Sequence, residues 1–548
     1  MWSRVSHTLC IHPTYTHLAC GLYAISLVDH TIWYLLLHHC CLPVDCNTVS
    51  FSSSLSLRYR QAKLHPLNMA SQIKTLRSSI IDGIAVTPRY RERQLTALHK
   101  ALSEARPQLI QSLSQSFGFT ASEALAEFLL TLNAIKTFHS TCDPKTSNEE
   151  EYTIAESKDH PNRRAPFGYA YITSGKGSAL YGTVVPIAAA IASGNVVVLQ
   201  KLSAPTTLSE TLEGILSKAL STETFAVVER DPFDPKLQQS RGVTFDGSSG
   251  SNSVSSSRRI CCPNGRTAAI VDRSGDVKVA ARDLVQARFA FGGLSSYAPD
   301  VVLVNDFKIR EFSEAVAEAG LKFLVQGVNG PAEKSENPPV LTEDYGNQAT
   351  TLMAGDRGKV VLLKSRNSQI LAQKVKTPTL ILVSISSMDD AIDLLNSQEG
   401  PLIANYVYAS APAAKYITQF VKASASFVNH VPKALLVGGP APNAFITSTH
   451  PRYSLDMFSV PSPTLIQSDS HSQAVASLIS ASGPNKTRVL EAAFDATLVP
   501  IKEPFGPKIG FFEQGFLFNA SVILSTLVAG TVCGVKYGYP ALVAALHR

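Results

Sequence analysis

Apolar residues recur along this chain in two rhythms. From Tyr90 onward Leu95, Leu98, Leu102, Leu109 and Leu113 keep one face at helical spacing, and 123–139 repeats it with Leu125, Phe128, Leu129, Leu132 and Ile135. Short apolar runs then alternate with further helical stretches: VVVLQ at 196–200, a helix near 208–220, FAVVE at 225–229 and GVTFDG at 242–247. TAAIVD at 267–272, a helix over 277–291 and VVLVND at 301–306 continue the series. Another helix precedes TLILVSI at 379–385, the helical MDDAIDLLNS and the strand NYVYAS. Strands nearly continuous in β-branched residues are covered on both faces, so the pattern predicts an α/β fold with parallel sheets between helices. Residues 329–348, rich in Pro, Glu and Asn, and the Ser-rich run GSSGSNSVSSS at 247–257 read as loops.

Both ends depart from this rhythm. Residues 1–68 hold five of the nine cysteines, both tryptophans and seven of the fourteen histidines. The apolar run from Leu18 is cut at Asp29-His30 after 11 residues, too short to span a bilayer. His12, His17, His38 and His39 show no C-x-x-C or H-x-x-x-H spacing, so no metal site is expected. We expect this leader to lie outside the folded unit, with Met69 as an alternative start. At the other end, Gly515 to Val535 is 21 residues without a charge, between Glu513 and Lys536. That length crosses a hydrocarbon core, and its place near the C-terminus predicts a tail anchor, with the protein on the cytoplasmic face of an intracellular membrane.

Composition narrows the function classes. The 548 residues are 45% apolar and 17% charged, with a net charge of +6. No block of like charge occurs, which leaves nucleic-acid binding without support. Cys142, Cys261, Cys262 and Cys533 suggest no disulfide framework and point to a reducing compartment.

The order of the motifs resembles the aldehyde dehydrogenase superfamily. TVVPIAAAIASGNVVVLQ at 183–200 is similar to that family's segment leading into the cofactor strand, and VTFDGSS at 243–249 to its strand and Gly-Ser helix start. NGRTAAIVDRSGDVKVAARDLVQARFAFGGLSSYAPDVVLV at 264–304 resembles the stretch ending in its catalytic turn, and FVNHV and RYSLDMFSV at 452–460 continue the match. The resemblance covers about residues 72–465, and APD after the turn places it in the class 3 or fatty-aldehyde branch. It implies a Rossmann-type cofactor domain over 69–262 and about 431–465, with oligomerisation segments. It also implies an α/β catalytic domain over 263–430, a linker over 466–514 and the hydrophobic helix at 515–535.

Members of that family oxidise an aldehyde through a cysteine thiolate, pass hydride to NAD(P) and release the acid with a glutamate-activated water. Here the nucleophile position matches Ser296 in FGGLSSYAPD. A thiol with a pKa of about 8.5 supplies thiolate at neutral pH, whereas a serine hydroxyl supplies essentially none without a paired base, and no His stands beside it. The general-base position matches Cys262, a residue type that is commonly a buried hydrophobe but could itself attack a carbonyl. The oxyanion position matches Gly177, which has no side-chain donor; losing one such donor costs roughly 3 kcal/mol.

The cofactor positions are altered too. The ribose-gripping lysine matches Gln200, with Lys201 adjacent. The Thr-Gly-Ser of the helix start becomes Asp246, Gly247 and Ser248, placing a carboxylate either against the pyrophosphate or as an ordinary N-cap. The glutamate on the nicotinamide ribose matches Lys374, which reverses its charge. The resemblance therefore implies NAD(P) while its contacts weaken that expectation.

Two readings follow. One is a catalytically impaired or inactive homologue acting by binding, as a homodimer or as a heterodimer with an active relative at a membrane. The other is an enzyme that still oxidises fatty aldehydes with NAD(P), using Cys262. A serine hydrolase built on Ser296 lacks both a Gly-x-Ser-x-Gly elbow and an adjacent base.

Overall fold

The computed structural model describes residues 69–546, apart from 175–179, 202–206, 230–241, 247–258, 263–264, 325–347, 356, 367–368, 401, 443–445, 447–449, 481–482, 484–487, 489–490, 492–500 and 502–508. The leader, the loop expectation at 247–257 and all but the last residue of that at 329–348 lie outside the described residues.

Strands are numbered in chain order. β1 is Arg164–Pro166, β2 Tyr169–Thr173, β3 Val196–Gln200, β4 Phe225–Val228, β5 Gly242–Asp246, β6 Arg259–Cys261 and β7 Thr267–Val271. β8 is Val301–Asn305, β9 Ala349–Gly355, β10 Gly358–Leu363, β11 Thr379–Ile385, β12 Ala404–Tyr408, β13 Ser426–Val428 and β14 Ser459–Pro461.

The predicted α/β architecture is present as two main sheets. The first runs β4-β3-β2-β5-β6 and is parallel throughout. The second runs β13-β12-β7-β8-β11-β10-β9 and is parallel except for β9, which pairs antiparallel with β10 at the edge. A ribbon joins β1 antiparallel to β14 and so brings residues near 460 back to residues near 165.

The helices are positioned by their apolar faces. The helical stretch beginning at Tyr90 is two helices, Pro88–Glu104 and Arg106–Phe117, broken at Ala105. Their leucines are buried, as are Phe128 and Ile135 on Ala121–Ser140. That third helix starts with a reciprocal cap between Thr120 and Glu123. Tyr181–Ala192 is buried on every side, as an all-round apolar helix must be in a soluble core. The predicted helix at 277–291 spans Val277–Phe289, capped by Asp276. Part of the expected linker is also helical, over Ser470–Ile479.

The C-terminal segment is a helix, Phe511–Cys533, continued through a wider turn at Gly534–Gly538 into Tyr539–Leu546. Its 32-residue apolar window, Phe512–Val543, is long and apolar enough to cross a membrane, and none of it is buried.

Candidate functional site

The turn begins where Val277–Phe289 ends. Phe291, Gly292 and Gly293 take left-handed backbone angles, with φ of 54, 64 and 72°. Phe291 pays for this conformation sterically, and the Glu123 carboxylate accepts its N–H at 2.9 Å. A Cβ at Gly293 would come within 2.9 Å of Pro378, so only glycine fits there.

Ser296 follows, half-buried. Its hydroxyl makes no hydrogen bond among the described residues. Its carbonyl is gripped: the Lys374 ammonium donates to it at 2.7 Å. The same ammonium lies 3.0 Å from Asp300 and 3.5 Å from the Thr267 hydroxyl. Asp300 in turn accepts from the backbone N–H of Thr267 at 2.8 Å and of Val375 at 3.2 Å, and faces Arg288 at 3.4 Å. Arg288 is wholly buried on the inner face of its helix and also donates to the carbonyls of Val375 and Thr377. Burial pulls the Lys374 pKa below the usual lysine value, with Arg288 acting in the same direction and Asp300 opposing. The position aligned with a ribose-binding glutamate is thus committed to the protein's own carboxylate and carbonyl. The Lys374 side chain lies beneath the turn, on the Ser296 carbonyl and the Asp300 carboxylate.

Cys262 lies at the end of β6, 1% exposed, with its N–H on the Asp246 carbonyl at 3.1 Å. Burial pushes its thiol up to about 12; Arg452 opposes this, and Asp246 and Cys261 add to it. At neutral pH this burial favours the protonated thiol over the thiolate. It shares its surroundings with Tyr297, the residue after Ser296, whose hydroxyl is pushed up by burial, with Arg452 opposing and Cys262 adding to the rise. The fold therefore gathers the nucleophile and base positions into one region.

What fills that region is Arg452. It is buried, sits 5.2 Å from the Tyr297 ring centroid and 5.8 Å from that of Tyr181, and donates to the carbonyls of Leu435, Val437 and Gly439. No carboxylate pairs with it among the described residues. The Tyr297 hydroxyl accepts the Ala441 N–H at 2.8 Å, and the Tyr406 hydroxyl donates to the Tyr297 carbonyl at 2.7 Å. An aromatic, carbonyl-rich packing thus surrounds the aligned base.

The remaining positions lie at the ends of the first sheet's strands. The Gln200 carbonyl oxygen accepts from the hydroxyls of Tyr171 and Thr173, both at 3.0 Å, which fixes the side chain against β2. Lys201 is exposed and borders a cleft of about 380 Å³ with Ser209, Glu210, Glu213, Gly214, Ser217 and Val227. Asp246 is buried and ion-paired with Arg259, so its charge is compensated within the protein. Gly177, Gly247 and Ser248 lie outside the described residues, as does any N-capping by Asp246. No cluster of three metal-binding side chains occurs among the described residues.

A dinucleotide fits this arrangement unevenly. The cleft beside Lys201 offers room, whereas Lys374 brings a cation and no carboxylate to its aligned position and is held by Asp300. The residues at that end do not fit a nicotinamide ribose.

One sheet parallel throughout, a second sheet whose strand β8 follows APD, and a C-terminal return through β14 give the chain an aldehyde dehydrogenase-like fold. Residues 84–344 match the model of the aldehyde dehydrogenase family, and the chain is similar to class 3 members of that family. It is 24% identical over 439 residues to aldehyde dehydrogenase family 3 member B1 of Rattus norvegicus, covering 72% of this chain and 91% of the relative. The substrate-bound AldH of Staphylococcus aureus shares its fold at 17% identity and a TM-score of 0.58, over 78% of this chain and 99% of that one. An NAD-dependent benzaldehyde dehydrogenase of Corynebacterium glutamicum superposes with a TM-score of 0.54 at 16% identity, over 73% and 90% of the two chains.

Proposed function

We propose that this chain is a catalytically impaired or inactive aldehyde dehydrogenase homologue that acts by binding, held at a membrane by its C-terminal helix. One observation carries the reading: Cys262, at the position of the activating base, is a buried thiol pushed up to about 12. Ser296 adds to it, because a hydroxyl with no hydrogen-bonding base among the described residues stays protonated. Catalytic groups that act as a unit fail together, and restoring one recovers little.

On this reading the protein works as a homodimer or as the partner of an active relative, on the cytoplasmic face of an intracellular membrane. The deciding assay follows NADH formation with medium- and long-chain aldehydes, using the natural chain and Cys262→Ala. No turnover in either is expected. Robust turnover abolished by Cys262→Ala would establish instead that the chain oxidises fatty aldehydes with Cys262 as nucleophile, the reading that its relatives' names favour. Alkaline carbonate that released the protein from membranes would remove the anchor.

A further inference from the structure

The C-terminal helix meets the body at an aromatic contact. Phe512 meets Tyr416 edge-on at 5.3 Å between centroids, and Tyr416 packs on Phe420 at 4.8 Å. Tyr416 and Phe420 belong to the helix Ala411–Phe420, which covers the second sheet beside Met388–Asn396. The Tyr416 hydroxyl donates to Asp389 on that neighbouring helix at 2.8 Å, which fixes the ring. Phe420 and Phe512 remain 48% and 54% exposed.

The uncharged stretch starting at Gly515 begins three residues after Phe512, about 4.5 Å along a helix. When that stretch spans a bilayer, Phe512 sits at the headgroup–acyl boundary, where aromatic rings concentrate. Tyr416, in contact with it, and Phe420, packed on Tyr416, are thereby brought close to the same depth. We infer that the Phe420–Tyr416–Phe512 patch seats on the bilayer surface, so that the body is docked on the membrane by the Ala411–Phe420 helix and does not swing on its tail.

The occupant is lipid, because the patch is continuous with the segment that enters lipid. Exposed charges around it are of both signs, with Lys415 and Lys422 against Asp389 and Asp393, so the attraction is apolar and a zwitterionic bilayer suffices. This inference rests on the membrane-spanning reading of the tail.

The test uses the full chain with Trp2→Phe and Trp33→Phe, which removes both native tryptophans. Phe420→Trp then supplies a single reporter in phosphatidylcholine vesicles with or without brominated acyl chains. Because a seated ring lies about 5–10 Å into the boundary, its emission should shift to the blue and be roughly halved by bromine. Tyr152→Trp, on the helix Pro144–Tyr152 that packs against Pro88–Glu104, should be unaffected. Adding Phe512→Ala should leave co-sedimentation with vesicles intact and abolish most of the quenching. Co-sedimentation with an unquenched Trp at 420 overturns the docking while leaving the tail inserted. Equal quenching at 152, or quenching that survives Phe512→Ala, also overturns it. Failure to co-sediment removes the tail reading and the docking with it.

Discussion

The turn at Ser296 and the cleft at Lys201 would both serve one dinucleotide in an active relative, yet they are built differently here. Beneath the turn, Lys374, Asp300 and Arg288 satisfy each other in the interior, with side-chain exposures of 13%, 4% and 0%. At the cleft, Lys201 is exposed on the rim of about 380 Å³ of open space. The contrast sets a cation satisfied inside the protein against one left to solvent. A buried lysine needs a carboxylate, and once it has one it is no longer available to a ligand.

The largest effect that would sharpen this contrast comes from Asp300→Asn. It strands two buried cations, and removing one partner of a buried ion pair costs about 3–5 kcal/mol. Lys201→Met should stay within about 0.5 kcal/mol in the same urea titration. Adding Lys374→Met to Asp300→Asn should recover part of the loss. A cost below about 1 kcal/mol for Asp300→Asn would mean the cluster does not hold the turn.

Next in size is the pH response of Cys262. Its folded pKa, about 12, stands above the ordinary thiol value of 9.0, so the folded protein binds more protons than the unfolded chain between these values. The associated stability is full below pH 9 and is lost as pH rises toward 12. The slope reaches about 1.4 kcal/mol per pH unit. Urea midpoints from pH 8 to 10.5 should fall more steeply for the natural chain than for Cys262→Ala. Equal slopes would show that the thiol is not shielded.

The cofactor comes third. Calorimetric titration of NAD or NADP should give a dissociation constant weaker than roughly 10 μM, or about 7 kcal/mol of binding. Tighter binding would show that Lys374 leaves Asp300 when a ligand arrives, and the contrast between the two ends would collapse.

Smallest of all is Ser296→Ala. With its hydroxyl unengaged among the described residues, the change should move stability by no more than about 0.5 kcal/mol. Ser296→Cys alone should create no aldehyde oxidation, because Cys262 supplies no carboxylate and Gly177 no donor.

Much of the fold was legible from local pattern. VVVLQ and TLILVSI coincide with β3 and β11, because a strand covered on both faces must be apolar at every position. β9 escaped notice: at the sheet edge its residues are largely exposed, and ATTLMAG shows no apolar run. β2 was missed because its buried positions, Ala170, Tyr171 and Ile172, mix a small residue and a tyrosine with a single β-branched one and make no clear apolar run. The break at Ala105 was hidden because Leu102 and Leu109 keep the same apolar face across it.

At the site, the sequence by itself determined which residue types stand at the aligned positions. Serine and glycine side chains lack certain groups in any conformation. Only the tertiary structure decided what the ionisable residues do. Asp246 is a rival to phosphate in the sequence and the partner of Arg259 in the fold, 13 residues away. Lys374 meets Asp300 across 74 residues, and Cys262 owes its raised pKa to burial, opposed by a residue as distant in sequence as Arg452. Charge and desolvation act through space, and a linear pattern carries no record of which distant neighbours the chain will bring together.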